Sequence, residues 1–220
     1  MTDGTQYKAV LFDLDGTLLN TIDDLADAMN AALAACGLPT RTASECKYFV
    51  GDGVRCFAQR ALPPDRRDEA TLGKIISLYS DAYSKNWGNK TRPYEGIPEL
   101  LDALAARRLK LIVYSNKPDE FTNLTVRKLL AKWEFAAIVG ARENFPNKPD
   151  PKASLDILGK LGLRPAEVVY VGDTGTDMQT ATAAGMFAAG ALWGFRTAKE
   201  LLENGAKILL ERPTDLIEHL

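Results

Sequence analysis

Histidine and cysteine are scarce in this chain. The single histidine, His219, stands beside the C-terminal Leu220, and the three cysteines, Cys36, Cys46 and Cys56, are odd in number and form no closely spaced pair. That leaves no imidazole for a Ser-His-Asp or Cys-His hydrolase, nor for a histidine-rich zinc site. Free thiols in a reducing compartment are the default reading of the cysteines. Basic excess is missing too: 27 Lys and Arg against 29 Asp and Glu give a net charge of -2, so nothing here neutralises a nucleic-acid backbone. No apolar run approaches a membrane span, and Met1 to Tyr7 is polar with no signal-peptide core. The chain therefore reads as cytoplasmic, with neither nucleic acid nor membrane as partner. Asn89-Lys90-Thr91 and Asn123-Leu124-Thr125 match the glycosylation pattern but, without a secretion signal, are read as chance.

What is present suffices for a sizeable core: 46% of the 220 residues are hydrophobic, enough for one large domain or one domain with an insertion. The organising stretch is Lys8 to Leu19. Ala9 to Phe12 is too short for a helix and too uniformly apolar for a half-solvated strand, so it predicts a buried strand of a parallel sheet. It ends in Asp13 and Asp15, which alternation places on one side unless the chain already bends at Gly16. Ligands of open parallel sheets sit beyond the carboxyl ends of strands. A calcium loop does not fit, because Thr17 stands where a third Asp or Asn is needed.

Thr21 to Cys36 has apolar residues at helical spacing and two aspartates in its first turn, and Gly37 ends it. The pattern stays helical from Thr42 to about Asn89, broken by Gly51-Asp52-Gly53 and Pro63-Pro64. From Pro93 helix and strand alternate, with strands at Leu109 to Tyr114, Phe135 to Val139, Val168 to Val171, Met186 to Leu192 and Ala206 to Leu210. Such alternation implies right-handed crossovers. The expected fold is α/β: a Rossmann-like parallel sheet with helices on both faces (residues 1–19 and 90–220) plus an inserted all-helical cap (20–89).

If the sheet is parallel, the residues following its strands share an edge. There stand Asp13 and Asp15, then Ser115, Asn116 and Lys117, then Gly172, Asp173 and Asp177, with Lys148 before a helix in Asn147-Lys148-Pro149-Asp150-Pro151. Singly, each has a bland reading as a helix cap or a solvated charge. Together they supply what phosphoryl transfer needs: carboxylates for Mg²⁺, and a hydroxyl and an ammonium for the phosphoryl oxygens. One carboxylate can then serve as nucleophile and another, kept protonated, can serve the leaving group.

The chain resembles the haloacid dehalogenase superfamily of phosphotransferases. Asp13 to Thr17 meets the first motif (Asp, any, Asp, Gly, Thr), Ser115 the second, Lys148 the third, and Gly172, Asp173 and Asp177 the fourth. It is most similar to the phosphoglycolate phosphatases, through Asn116-Lys117-Pro118, the Lys-Pro-Asp-Pro run at Lys148, the helical insertion after the first motif, and Val50 to Arg55. The resemblance implies that Asp13 attacks phosphorus and that Asp15 protonates the leaving oxygen and then activates water. It implies that Asp13, the Asp15 carbonyl and Asp173 hold Mg²⁺. Thr17, Ser115, Asn116 and Lys148 would bind the phosphoryl group, with Asp177 orienting Lys148 or metal-bound water. Dehalogenases of this fold lack an acid at the position of Asp15. Leu19-Asn20-Thr21 departs from the Asp-Ser of many relatives, at the hinge.

The insertion is expected to close over the site, with Arg55, after the glycine turn, facing the pocket to pair with a substrate carboxylate. The resulting expectation is a Mg²⁺-dependent phosphatase acting on a small phosphate monoester such as 2-phosphoglycolate, as a monomer or homodimer. The alternatives are a phosphomutase of the β-phosphoglucomutase kind, a pyrophosphatase on the same scaffold, and a non-enzymatic binding module.

Overall fold

Strand β1 (Ala9–Phe12) is buried on both faces. Val10 and Phe12 face one side, with Val113, Val169 and Val171, while Ala9 and Leu11 face the other, with Ile112 and Tyr170. Alternation along a strand thus feeds two cores, which is why its residues are apolar without interruption. A computed structural model of the chain describes residues 7–143 and 145–220; the polar stretch 1–6 and Asn144 lie outside the described residues.

The chain leaves β1 through a turn and a two-residue strand β2 (Leu19–Asn20) into helices α1 (Ile22–Ala35), α2 (Ala43–Phe49), α3 (Val54–Ala61) and α4 (Glu69–Asn86). The short strand β3 (Arg92–Pro93) pairs antiparallel with β2, so the entrance and exit of the helical segment are tied together. Asp24 reinforces that junction by accepting from the Lys90 and Thr91 amides and the Thr91 hydroxyl. These four helices gather around their own apolar cluster, including Met29, Leu33, Phe57, Ile75 and Tyr79. The paired two-residue strands are a feature that sequence periodicity does not anticipate.

Then follow α5 (Ile97–Ala106), β4 (Lys110–Pro118), α6 (Asp119–Leu129), β5 (Phe135–Ala141), α7 (Lys152–Lys160), β6 (Val168–Gly172), α8 (Gly175–Ala184), β7 (Phe187–Ala191), α9 (Ala198–Glu203) and β8 (Ile208–Leu210). The expected closing helix from Thr214 is a 3-10 helix, Pro213–His219, with His219 exposed in its last turn. The main sheet runs β5-β4-β1-β6-β7-β8, all pairs parallel. From β1 the chain builds first to one side and then to the other, and in such sheets the crevice lies where the order reverses. The tips of β1, β4 and β6, carrying Asp13, Ser115 and Asp173, are therefore neighbours. Strand β4 runs past the expected Tyr114 through Ser115, Asn116 and Lys117 to Pro118, with an irregular register against β5 after Tyr114. No helix among the described residues is long and apolar enough to cross a membrane.

Candidate active site

Beyond Phe12 the Asp13 amide still donates to Val171, 3.0 Å away, so Asp13 is fixed at the tip of the central strand. Gly16 then turns the chain at φ +90°, a conformation that favours glycine, and a Cβ there would run into the Asp173 carboxylate. On the β6 side, Thr174 caps α8 through a reciprocal box with Asp177, which places Asp177 beneath the same tip.

These placements bring Asp13, Asp173 and Asp177 together, all buried, with one carboxylate oxygen from each within 4.8 Å of the others. Lys148 lies among them, its ammonium 2.8 Å from Asp13 Oδ1 and 2.7 Å from Asp177 Oδ1. Burial works against the charge of Lys148, but Asp13 and Asp177 outweigh it and hold the ammonium well above its ordinary range. Three buried carboxylates against one ammonium leave surplus negative charge. Burial pushes Asp13 up to about 6, against the pull of Lys148 and with Asp177 adding to the rise. Burial and then Asp177 and Asp13 push Asp173 well above the carboxylate range.

A divalent cation relieves that surplus, and the donor set fits one. Asp177 is already occupied: its oxygens accept from Lys148, the Tyr170 hydroxyl, and the Thr174 amide and hydroxyl. Asp173 accepts one bond on each oxygen, from Thr17 and from the Phe195 amide, both at 2.8 Å, leaving lone pairs free. Asp13 Oδ1 is buried with no aligned hydrogen-bond donor, the Lys148 contact being one of charge. Asp13 and Asp173 are thus the carboxylates with capacity for a hard cation.

Three of the sequence-based candidates make contacts that the sequence did not suggest. Thr17 is fully buried and its hydroxyl donates to Asp173, so it orients that carboxylate. The Asn116 side chain accepts from the Lys148 amide (2.9 Å) and donates to the Gly51 (3.0 Å) and Lys148 (3.3 Å) carbonyls, so it clamps the Lys148 loop and the glycine turn. Arg55 pairs with Glu69 at 2.6 Å on the outer surface, its side chain 59% exposed. One helical turn explains this, since Val54 and Phe57 of α3 line the cavity and Arg55 between them points away. Ser115 is buried and lines the cavity.

The cavity lies between the sheet edge and the helical segment, and Asp13, Asp15, Ser115 and Asn116 are on its floor with Val54, Phe57, Tyr79 and Tyr83 opposite. Its volume is about 80 Å³. At roughly 10–15 Å³ per water site, it has room for a compact ligand of a few heavy atoms. Side chains of the core reach across: Thr176 donates to Asp52 (2.9 Å), and Arg196 donates to the Val50 carbonyl (2.8 Å) and to that of Lys47. The sequence reading gave no role to Lys117, whose ammonium is 3.0 Å from both Asp15 oxygens and 2.7 Å from the Tyr83 hydroxyl. Its position two residues after Ser115 on one strand was the available signal.

Known proteins similar to this chain share one family. A family model described as haloacid dehalogenase-like hydrolase matches residues 10–191. The phosphoglycolate phosphatase of Aquifex aeolicus is 32% identical over 211 residues, covering 96% of this chain and 95% of that protein. That of Pectobacterium atrosepticum is 30% identical over 223 residues, covering 99% and 94%. The crystal structure of a predicted phosphoglycolate phosphatase from Haemophilus somnus superposes with a TM-score of 0.90 at 27% identity, covering 99% of each chain.

Proposed function

The chain belongs to the haloacid dehalogenase-like hydrolases, and from that premise we propose that it hydrolyses a small phosphate monoester, 2-phosphoglycolate first among candidates, through a phosphorylated Asp13. The observation that carries the reading is the juxtaposition of the Asp13 carboxylate with the Lys148 ammonium, 2.8 Å apart at the tip of the central strand. The size of the cavity and the names of the relatives support a substrate of two or three carbons.

In this reading the phosphoryl group sits on the floor of the cavity, with the Ser115 hydroxyl and the Lys148 ammonium on its equatorial oxygens. Asp13 is held in line with phosphorus and attacks it, the bond to the alcohol oxygen breaks, and Asp15 gives that oxygen its proton. Asp15 then takes a proton from water as water attacks the aspartyl phosphate, and Asp13 is returned with inorganic phosphate. Asp177 positions Lys148 throughout. Asp13, the Asp15 carbonyl and Asp173 would hold Mg²⁺, which when bound neutralises charge on the phosphoryl oxygens and on the facing carboxylates. The helices from α1 to α4 serve as the cap that excludes bulk water.

The test is phosphate release from a panel of monoesters with Mg²⁺, alongside Asp13→Asn. Turnover of 2-phosphoglycolate that disappears in the variant is the expected result. A folded protein that releases phosphate from none of the panel overturns the reading.

A further inference from the structure

The reading above leaves open which group selects the substrate, and the Arg55 candidate has been removed by its position. Among the described residues lining the cavity, Lys117 is the cation. Its side chain is only 3% exposed, and its ammonium lies 4.7 Å over the Tyr83 ring in addition to its bonds with Asp15 and the Tyr83 hydroxyl. A buried ammonium is tolerated only with partners that offset its lost hydration. Here the anionic partner is the very carboxylate needed at the leaving oxygen.

Resting on the proposed function, we propose that Lys117 is the specificity-determining residue of the site, and that it exchanges Asp15 for a carboxylate carried on the alcohol part of the substrate. Ser115 and Lys117 both line the cavity from one strand. Side chains at i and i+2 stand roughly 6–7 Å apart, a span that the terminal oxygens of a phosphorylated two-carbon acid can bridge. When the substrate carboxylate takes the ammonium, Asp15 is freed, takes up a proton from solvent and turns toward the leaving oxygen to donate it, while Lys117 keeps a negative partner. A neutral alcohol offers no replacement, so freeing Asp15 leaves the ammonium without a counter-charge. The Tyr83 hydroxyl of α4 stays on Lys117 and keeps it aimed into the cavity.

The experiment compares kcat/KM, with Mg²⁺, for 2-phosphoglycolate, its uncharged amide and ethyl phosphate. With the wild-type enzyme the acid is expected to exceed the amide by about 30-fold, the order of a charge-assisted hydrogen bond. In Lys117→Met the ratio of acid to amide falls at least about tenfold, Lys117→Arg keeps much of it, and Tyr83→Phe, which loosens the aim of Lys117, lowers the ratio by less than Lys117→Met does. Equal turnover of acid and amide by the wild-type enzyme overturns the proposal, as does a Lys117→Met ratio that stays at the wild-type level. The wild-type comparison needs no variant to fold. If ethyl phosphate and the acid are both inert, it is the phosphatase reading itself that fails.

Discussion

The two walls of the cavity are built differently. Directly behind the sheet side, Lys148 sits between two carboxylates at 2.8 and 2.7 Å, and Asp177 accepts from four donors on three residues. On the helical side the lining is mostly apolar or aromatic, and its polar contacts to the core are few: Tyr83 to Lys117, Asp52 to Thr176, the Gly51 carbonyl to Asn116, and the Val50 and Lys47 carbonyls to Arg196. One wall is a dense charged network fixed by strand tips, where any deletion strands a buried charge. The other is a packed surface held by a handful of bonds, where side chains can be exchanged to fit another alcohol. The phosphoryl chemistry is thereby assigned to the sheet side, and the fit of the alcohol to Lys117 of β4 together with the helical lining that faces it, so substitutions at Lys148 and at Lys117 should read out differently.

The largest separation is expected from Lys148→Met. Losing a preorganised cation at the phosphoryl group should lower kcat/KM by about 10²–10³-fold for acid and amide substrates alike. In metal-free protein it should also cost about 3–5 kcal/mol of stability, since Asp13 and Asp177 lose their shared counter-charge. A chemical denaturation curve checks the second effect. A loss confined to the carboxylate-bearing substrate would erase the distinction between Lys148 and Lys117.

Next in size is the interplay of Mg²⁺ and pH. The Asp13 of the unfolded chain ionises near 3.8 and that of the folded chain only near 6. Between those values the native state binds more protons, so the metal-free protein loses stability from this group as pH rises from about 4 to about 6. Mg²⁺ binds the ionised carboxylates, so the melting temperature gained on adding it should be larger at pH 7.5 than at pH 5. An equal gain at both values would show that the buried carboxylates do not hold the ion.

The smallest effect belongs to Arg55→Ala. With its guanidinium on Glu69 and in solvent, KM for 2-phosphoglycolate should change by less than about twofold. A larger rise would return Arg55 to the site and weaken the case for Lys117.

These cases also show how far the sequence could be read. Uniform apolarity marked β1 as a buried strand, and alternation of helix and strand placed Asp13, Ser115 and Asp173 on one edge, because periodicity and topology are local and general. Arg55 was misplaced because its face of α3 depends on where that helix begins after Gly53 and which side packs. The contacts of Thr17 with Asp173 and of Asn116 with Lys148 could not be read from the sequence, because these partners are 156 and 32 residues away, distances at which spacing carries no information. Strand β4 was cut short because Ser115, Asn116 and Lys117 are polar and read as a loop, although burial by the facing helices lets them stay extended.

The central claim concerns one oxygen of Asp13. Mixing the Mg²⁺-loaded enzyme with 2-phosphoglycolate, quenching in acid within milliseconds and mapping peptides by mass spectrometry tests it directly. The account predicts one phosphoryl group, on Asp13, absent from Asp13→Asn. A steady-state turnover with no phosphorylated peptide at any quench time, or with the group on Asp15 or Asp173, would contradict it.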